Sequence, residues 1–149
     1  MPNNAEGEAP ASPSSRRVLT VGVYDLCHEG HVNRLWGARQ YGTHLIVGVQ
    51  DTPYCKIEPV RSTAERVAHI EALRIADEII VYESGTDGAV LERVRPDVFV
   101  HGLEWPTEAD RSRVLEVAQR LGVHVVLLPR TEGVSSRELR NRMAASDRR

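Results

Sequence analysis

The chain has 149 residues, room for one domain of ordinary size and not for two independent cores. Its 41% hydrophobic and 27% charged residues suit a soluble globular protein, and a net charge of −2 from 19 basic and 21 acidic side chains disfavours a general nucleic-acid binder. No run approaches the ~20 apolar residues of a membrane span, and Cys27 and Cys55 lack the spacing of a zinc site or a stapled secreted scaffold, so a reducing, cytoplasmic setting is expected.

Residues 1–17 are rich in Pro, Ser, Ala, Asn and Glu without apolar periodicity, which predicts a disordered tail; it lacks the apolar centre of a secretory signal. A single domain is expected over 18–145, with 146–149 as a short tail. Strands are predicted over 18–21, 45–49, 78–82, 97–100 and 124–128, and helices over 30–41, 62–76, 87–94, 107–121 and 135–145. Ser62 with Glu65 and Ser135 with Glu138 form capping-box patterns. In the helix after Ser62, Val67, Ala68, Ile70, Leu73, Ile75 and Ala76 supply a core stripe. The strands read as near-continuous β-branched runs, the mark of strands covered on both faces. Strict alternation with helices then predicts an α/β fold, a doubly wound parallel sheet of Rossmann-like type with right-handed crossovers.

Ligands of such sheets bind at the carboxyl ends of the strands, so the strand-to-helix loops matter most. The first is Gly22-Val23-Tyr24-Asp25-Leu26-Cys27-His28-Glu29-Gly30-His31. His28 and His31 are three apart at a helix start, where free amides and the positive helix end favour an anion. Gly30 permits close backbone approach, and the imidazoles can donate to oxygens that gain charge in a reaction. Ordinary packing histidines or a plain turn are the rival readings, and two histidines are too few ligands for structural zinc. At the far end, Leu128-Pro129-Arg130-Thr131-Glu132-Gly133-Val134-Ser135-Ser136 joins the last strand to the final helix. Arg130 offers a planar fork to phosphate oxygens, beside hydroxyls and amides; a solvated arginine and a simple serine cap are the alternatives. Two anion loops at one sheet edge support each other and favour a nucleotide enzyme.

These two segments resemble the cytidylyltransferase-like nucleotidyltransferase family: the first matches its H-x-G-H signature, the second its R-T-E-G-[IV]-S-[ST] signature. The resemblance covers about residues 18–143 and is nearest to the small glycerol-3-phosphate cytidylyltransferases. It implies that an acceptor phosphate oxygen attacks the α-phosphorus of a nucleoside triphosphate and releases pyrophosphate. It implies that His28 and His31 contact the triphosphate, that Lys56, the only lysine, meets donor and acceptor phosphates, and that Arg61 is a second cation there. Arg66 is expected near the acceptor and Arg74 near the nucleotide or in the fold. Arg130 is expected to clamp the β- and γ-phosphates with Thr131, Ser135 and Ser136. Gly22, Val23, Tyr24, Asp25, Gly30 and Trp105 would complete the nucleotide site. Mg²⁺ would travel with the triphosphate, with Asp25 as the protein carboxylate touching it.

The chain departs from the family pattern at Val23, where Thr is usual, and at Leu103-Glu104, where Asp-Asp precedes the tryptophan. The favoured reading is transfer of CMP from CTP to a small phosphorylated alcohol, glycerol 3-phosphate first, by a homodimer. Ethanolamine or choline phosphate, a hydroxyalkyl phosphonate, and transfer from ATP to a sugar phosphate or flavin phosphate are the alternatives within the class. A non-catalytic nucleotide sensor is the alternative outside it. Asp77 and Glu78 are expected to pair with arginines, and His44, His69 and His124 to be structural.

Overall fold

The computed structural model describes residues 15–26, 28–51, 59–83, 87–105, 107–129 and 143. Five strands, β1 (Arg17–Gly22), β2 (His44–Gln50), β3 (Glu78–Tyr82), β4 (Val98–Gly102) and β5 (His124–Leu128), alternate with helices α1 (Glu29–Arg39), α2 (Thr63–Leu73), α3 (Asp87–Val94) and α4 (Glu108–Leu121). Every strand pair is parallel and the order is β3-β2-β1-β4-β5. This is the doubly wound α/β arrangement that the alternation predicts, with the order reversing between β1 and β4. Of the helix predicted over 135–145 only Met143 is among the described residues, and it is helical.

Alternation along the strands divides the core in two. Val18, Leu45, Val47, Val49, Val98 and Val100 pack with Leu35 and Ala38 of α1 and Ile70 of α2. Leu19, Val21, Ile46 and Phe99 pack on the other face with Val90 and Leu91 of α3 and Val114 and Ala118 of α4. Each such Val, Leu, Ile or Phe contributes about 1.5–3 kcal/mol on burial, and stocking both faces is why the strands read as continuous apolar runs. Within α2 the predicted stripe is present at Ile70, Val67 and Leu73, but Ala68 is exposed.

Polar ties fix where the strands begin. Asp77 accepts from the Leu45 amide and from Arg39 Nη1, each at 2.8 Å, and its carboxyl is held below the usual carboxylate range by these bonds. Glu78 meets His44 Nε2 at 3.3 Å rather than an arginine, because β2 brings its own first residue alongside. Arg17, predicted to belong to the tail, opens β1 instead: its amide donates to Asp97 Oδ2 at 2.8 Å and its Nη1 to the carbonyls of Val94 and Arg95.

Helix ends place the edges of the sheet. Ser62 Oγ accepts from the Glu65 amide at 3.1 Å while Glu65 Oε1 accepts from the Ser62 amide at 2.9 Å, the reciprocal cap that the sequence predicts. At its other end α2 closes on Arg74 in the left-handed conformation, φ 55°. Because α2 runs from the carboxyl end of β2 to the amino end of β3, exposed Arg74 stands at the sheet edge opposite His28. Of the two places expected for it, against the nucleotide or in the fold, the position at the end of α2 fits the second. No helix of the described residues is long and apolar enough to cross a membrane.

Candidate active site

The loop from β1 to α1 carries Tyr24 at φ 57° and Leu26 at φ 50°, both left-handed and both bulky. Such conformations cost roughly 1–3 kcal/mol each and persist only where surroundings over-determine them. Two buried polar side chains do so. Asp25, 1% exposed, accepts from the Val60 amide at 3.0 Å and the Arg61 amide at 3.2 Å. Arg66, also 1% exposed, reaches from α2 to five acceptors. Its Nε donates to Arg61 O at 3.2 Å, its Nη1 to Val23 O and Gln50 O at 2.9 and 2.6 Å, and its Nη2 to Asp51 O and Thr63 Oγ1 at 3.0 Å each.

These bonds reassign two expected roles. A guanidinium has five N–H donors, and all five of Arg66 are committed to the loops, which leaves none for an acceptor phosphate. The Asp25 carboxylate is enclosed and faces two amides, so it does not fit a magnesium ligand, and among the described residues no group of three acidic, histidine or cysteine side chains could hold a metal. Both residues instead tie the first loop to the segment before α2.

The histidines sit on the loop so anchored. His28 is the N-cap of α1: its Nδ1 accepts from the Gly30 amide at 3.0 Å, and His31 Nδ1 accepts from the His28 amide at 3.3 Å. The pair is thus a capping box built from imidazoles, a use the sequence pattern did not reveal because histidine is not among the preferred cap residues. Since each Nδ1 accepts, each neutral ring carries its proton on Nε2. The rings stack with centroids 4.0 Å apart, and Tyr24 meets His31 edge-on at 5.3 Å. Burial, then the charges of His28 and Arg34, lowers the pKa of His31 to about 3. His31 is therefore a neutral hydrogen-bond donor across the physiological range and not a proton reservoir.

Across the cleft, at the carboxyl end of β4, His101 and Trp105 stack almost flat, 3.8 Å between centroids and 4° between planes. His101 Nδ1 donates to Gly102 O at 2.9 Å, and burial is the main cause that lowers its pKa to about 4. Trp105 packs on the α3/α4 core, and its Nε1 is buried without a partner among the described residues. Arg34 of α1 lies between the two pairs, its guanidinium beside Gly22 and Gly102. Arg61 is half-buried with no ion pair among the described residues.

Two buried neutral imidazoles carry a pH signature. Folded His31 and His101 bind protons less readily than in the unfolded chain, where the ordinary value is about 6.5, so unfolding takes up protons and stability falls as pH drops from about 6.5 towards 4. The melting temperature is expected to decline by several degrees between pH 7 and pH 5, and a His101→Gln variant should decline less. A flat profile in the parent protein would contradict the buried neutral state.

The structure thus gathers Gly22, Val23, Tyr24, Asp25, His28, Gly30, His31, Arg61, Arg66 and Trp105 at the carboxyl edge, while Lys56, Arg130, Thr131, Ser135 and Ser136 lie outside the described residues. Arg34 and His101 were missed by the sequence reading. The signal for Arg34 was its place three residues after His31, on the same helical face.

A family model described as cytidylyltransferase-like matches residues 19–142. Glycerol-3-phosphate cytidylyltransferase of Staphylococcus aureus is 31% identical over 136 residues, covering 89% of this chain and 98% of the relative. Bifunctional protein HldE of Nitrosococcus oceani is 33% identical over 127 residues, 82% of this chain but 26% of the relative, so the chain spans about a quarter of that protein's length. Among solved structures, the lipopolysaccharide core biosynthesis protein of Thermoplasma volcanium GSS1 superposes with a TM-score of 0.61 at 24% identity, covering 78% of this chain and 96% of that one, which speaks for the fold.

Proposed function

Because the chain belongs to the cytidylyltransferase-like family of nucleotidyltransferases, we propose that it transfers CMP from CTP to a small phosphorylated alcohol, glycerol 3-phosphate first, and releases pyrophosphate. The observation that carries the reading is the stacked His28–His31 pair, whose caps place the ring protons on Nε2 at the carboxyl end of β1. An acceptor phosphate is already an anion, so no general base is required; catalysis consists of positioning and of neutralising charge. An acceptor oxygen forms a bond to the α-phosphorus as the bond from that phosphorus to the bridging oxygen breaks, and the electron pair leaves with pyrophosphate. His31 and His28 donate to triphosphate oxygens, and Arg61 attracts the acceptor. Lys56 and Arg130, with Thr131, Ser135 and Ser136, are assigned the remaining phosphate contacts by their match to the family signatures. The flat His101–Trp105 stack is a surface for the base. Magnesium is expected to arrive with the triphosphate.

The near-full-length likeness to a glycerol-3-phosphate cytidylyltransferase supports CTP and glycerol 3-phosphate. The chain is 33% identical to a quarter of bifunctional protein HldE, so a donor and acceptor other than these stay open; the second reading is ATP with a sugar phosphate. A homodimer in the cytoplasm belongs to the same proposal, and light scattering should give twice the mass of one chain. The protein incubated with CTP or ATP, magnesium and each acceptor is expected to release pyrophosphate with CTP and glycerol 3-phosphate. Release only with ATP would overturn the cytidylyl assignment, and triphosphate binding without release for any acceptor would make the domain a nucleotide sensor.

A further inference from the structure

Arg34 follows His31 by one helical turn on α1 and carries its guanidinium across the ends of two strands. A Cβ on Gly22 would lie 3.1 Å from its Nη2, and one on Gly102 3.1 Å from its Nη1. The two glycines end β1 and β4, the neighbours between which the strand order reverses. Their missing side chains make the space the guanidinium fills. Among the described residues its Nε is buried without a partner and no carboxylate pairs with it. A cation taken partly out of water with no counter-charge is costly, and buried charges are normally paired. An anion beside the guanidinium would supply the counter-charge that the described residues do not.

What flanks Arg34 indicates which anion. On one side stand the stacked His28 and His31 rings, suited to a polyphosphate; on the other lies the flat His101–Trp105 surface, suited to a planar base. In a nucleoside triphosphate the phosphate nearest the base is the α-phosphate. We propose that Arg34 binds the non-bridging oxygens of the α-phosphate and stabilises the charge that gathers on them as the acceptor oxygen attacks. The inference rests on the nucleotidyl transfer proposed above and adds to it the residue that holds the phosphorus under attack.

The test compares the full chain with Arg34→Met, Arg34→Lys and Gly102→Ala, reading pyrophosphate release, calorimetric binding of CTP, CMP and cytidine, and melting temperature; the adenine series replaces these if ATP is the donor. Arg34→Met is expected to lower kcat about 10²-fold, weaken CTP and CMP about tenfold or more, leave cytidine binding unchanged and give a melting temperature no lower than the parent's. Lysine, a point charge without the planar fork, should restore part of the loss. Gly102→Ala, whose methyl pushes the guanidinium aside by a few tenths of an ångström, should give the same pattern in weaker form. Unchanged turnover and CMP affinity in Arg34→Met would overturn the inference, and so would an equal loss for cytidine, which would put Arg34 on the sugar or base. A parent protein that releases pyrophosphate with neither triphosphate would overturn the nucleotidyl-transfer reading and this inference with it.

Discussion

Replacing His31 with alanine is expected to lower kcat about 10²–10³-fold, the usual consequence of removing a preorganised donor to a charge that develops in the transition state. Two effects are mixed in that variant, because His31 Nδ1 also accepts from the His28 amide and closes the helix cap. They separate at His28. Serine there keeps an oxygen that can cap α1 but loses the ring and its Nε2 donor. His28→Ser is therefore expected to melt within about 1 kcal/mol of the parent, in line with the usual range for exchanging caps, while its turnover falls as far as that of His28→Ala. Steady-state kinetics beside thermal melts decide it. If His28→Ser turned over like the parent, the histidines would be caps and nothing more. Because His31 is already neutral at pH 7, no change in kcat between pH 6 and 8 should trace to its titration, and a bell-shaped profile abolished by His31→Gln would contradict the donor role.

The second large effect belongs to Arg66, and it is one of stability. Methionine at this position has similar length but no donor, so the carbonyls of Val23, Gln50, Asp51 and Arg61 lose the group that binds them together. Removing one side of a buried, charge-assisted network costs about 3–5 kcal/mol, which for a chain of this size lowers the melting temperature by about 10 °C or more. The loops freed are those that hold Tyr24 and Leu26 in left-handed conformations. Kinetic loss should therefore appear in kcat with both substrates and not in the acceptor KM alone. An Arg66→Met protein with normal melting and a raised acceptor KM would return the arginine to the acceptor site.

The contrast between Arg66 and Arg34 shows what was legible in the sequence. Strands announced themselves because both faces of the sheet are buried: Val18 and Leu19 are neighbours in the chain and belong to opposite cores. The α2 start was equally plain, since Ser62 and Glu65 need only each other. The histidine pair was visible because both anion donors lie within one turn of one helix. An arginine, by contrast, reads the same whether it binds substrate or carbonyls. Arg66 stands in the buried stripe with Ile70, and its partners Val23, in the first loop, and Gln50, at the end of β2, are distant in the chain. Arg34 depends on space left by Gly22 and Gly102, which are 80 positions apart and meet only because β1 pairs with β4. For Arg74 the choice between nucleotide and fold stayed open in the sequence, because its edge of the sheet depends on the direction of α2 and not on its neighbours in the chain.

Phosphorus NMR of a reaction containing the protein, magnesium, CTP and glycerol 3-phosphate tests nucleotidyl transfer most directly. Attack on the α-phosphorus predicts the coupled pair of resonances of the diphosphate bridge in CDP-glycerol, growing together with pyrophosphate in equal amounts and falling about 10²–10³-fold in rate in His31→Ala. Inorganic phosphate in place of pyrophosphate, or CMP formed without incorporation of the acceptor, would contradict it.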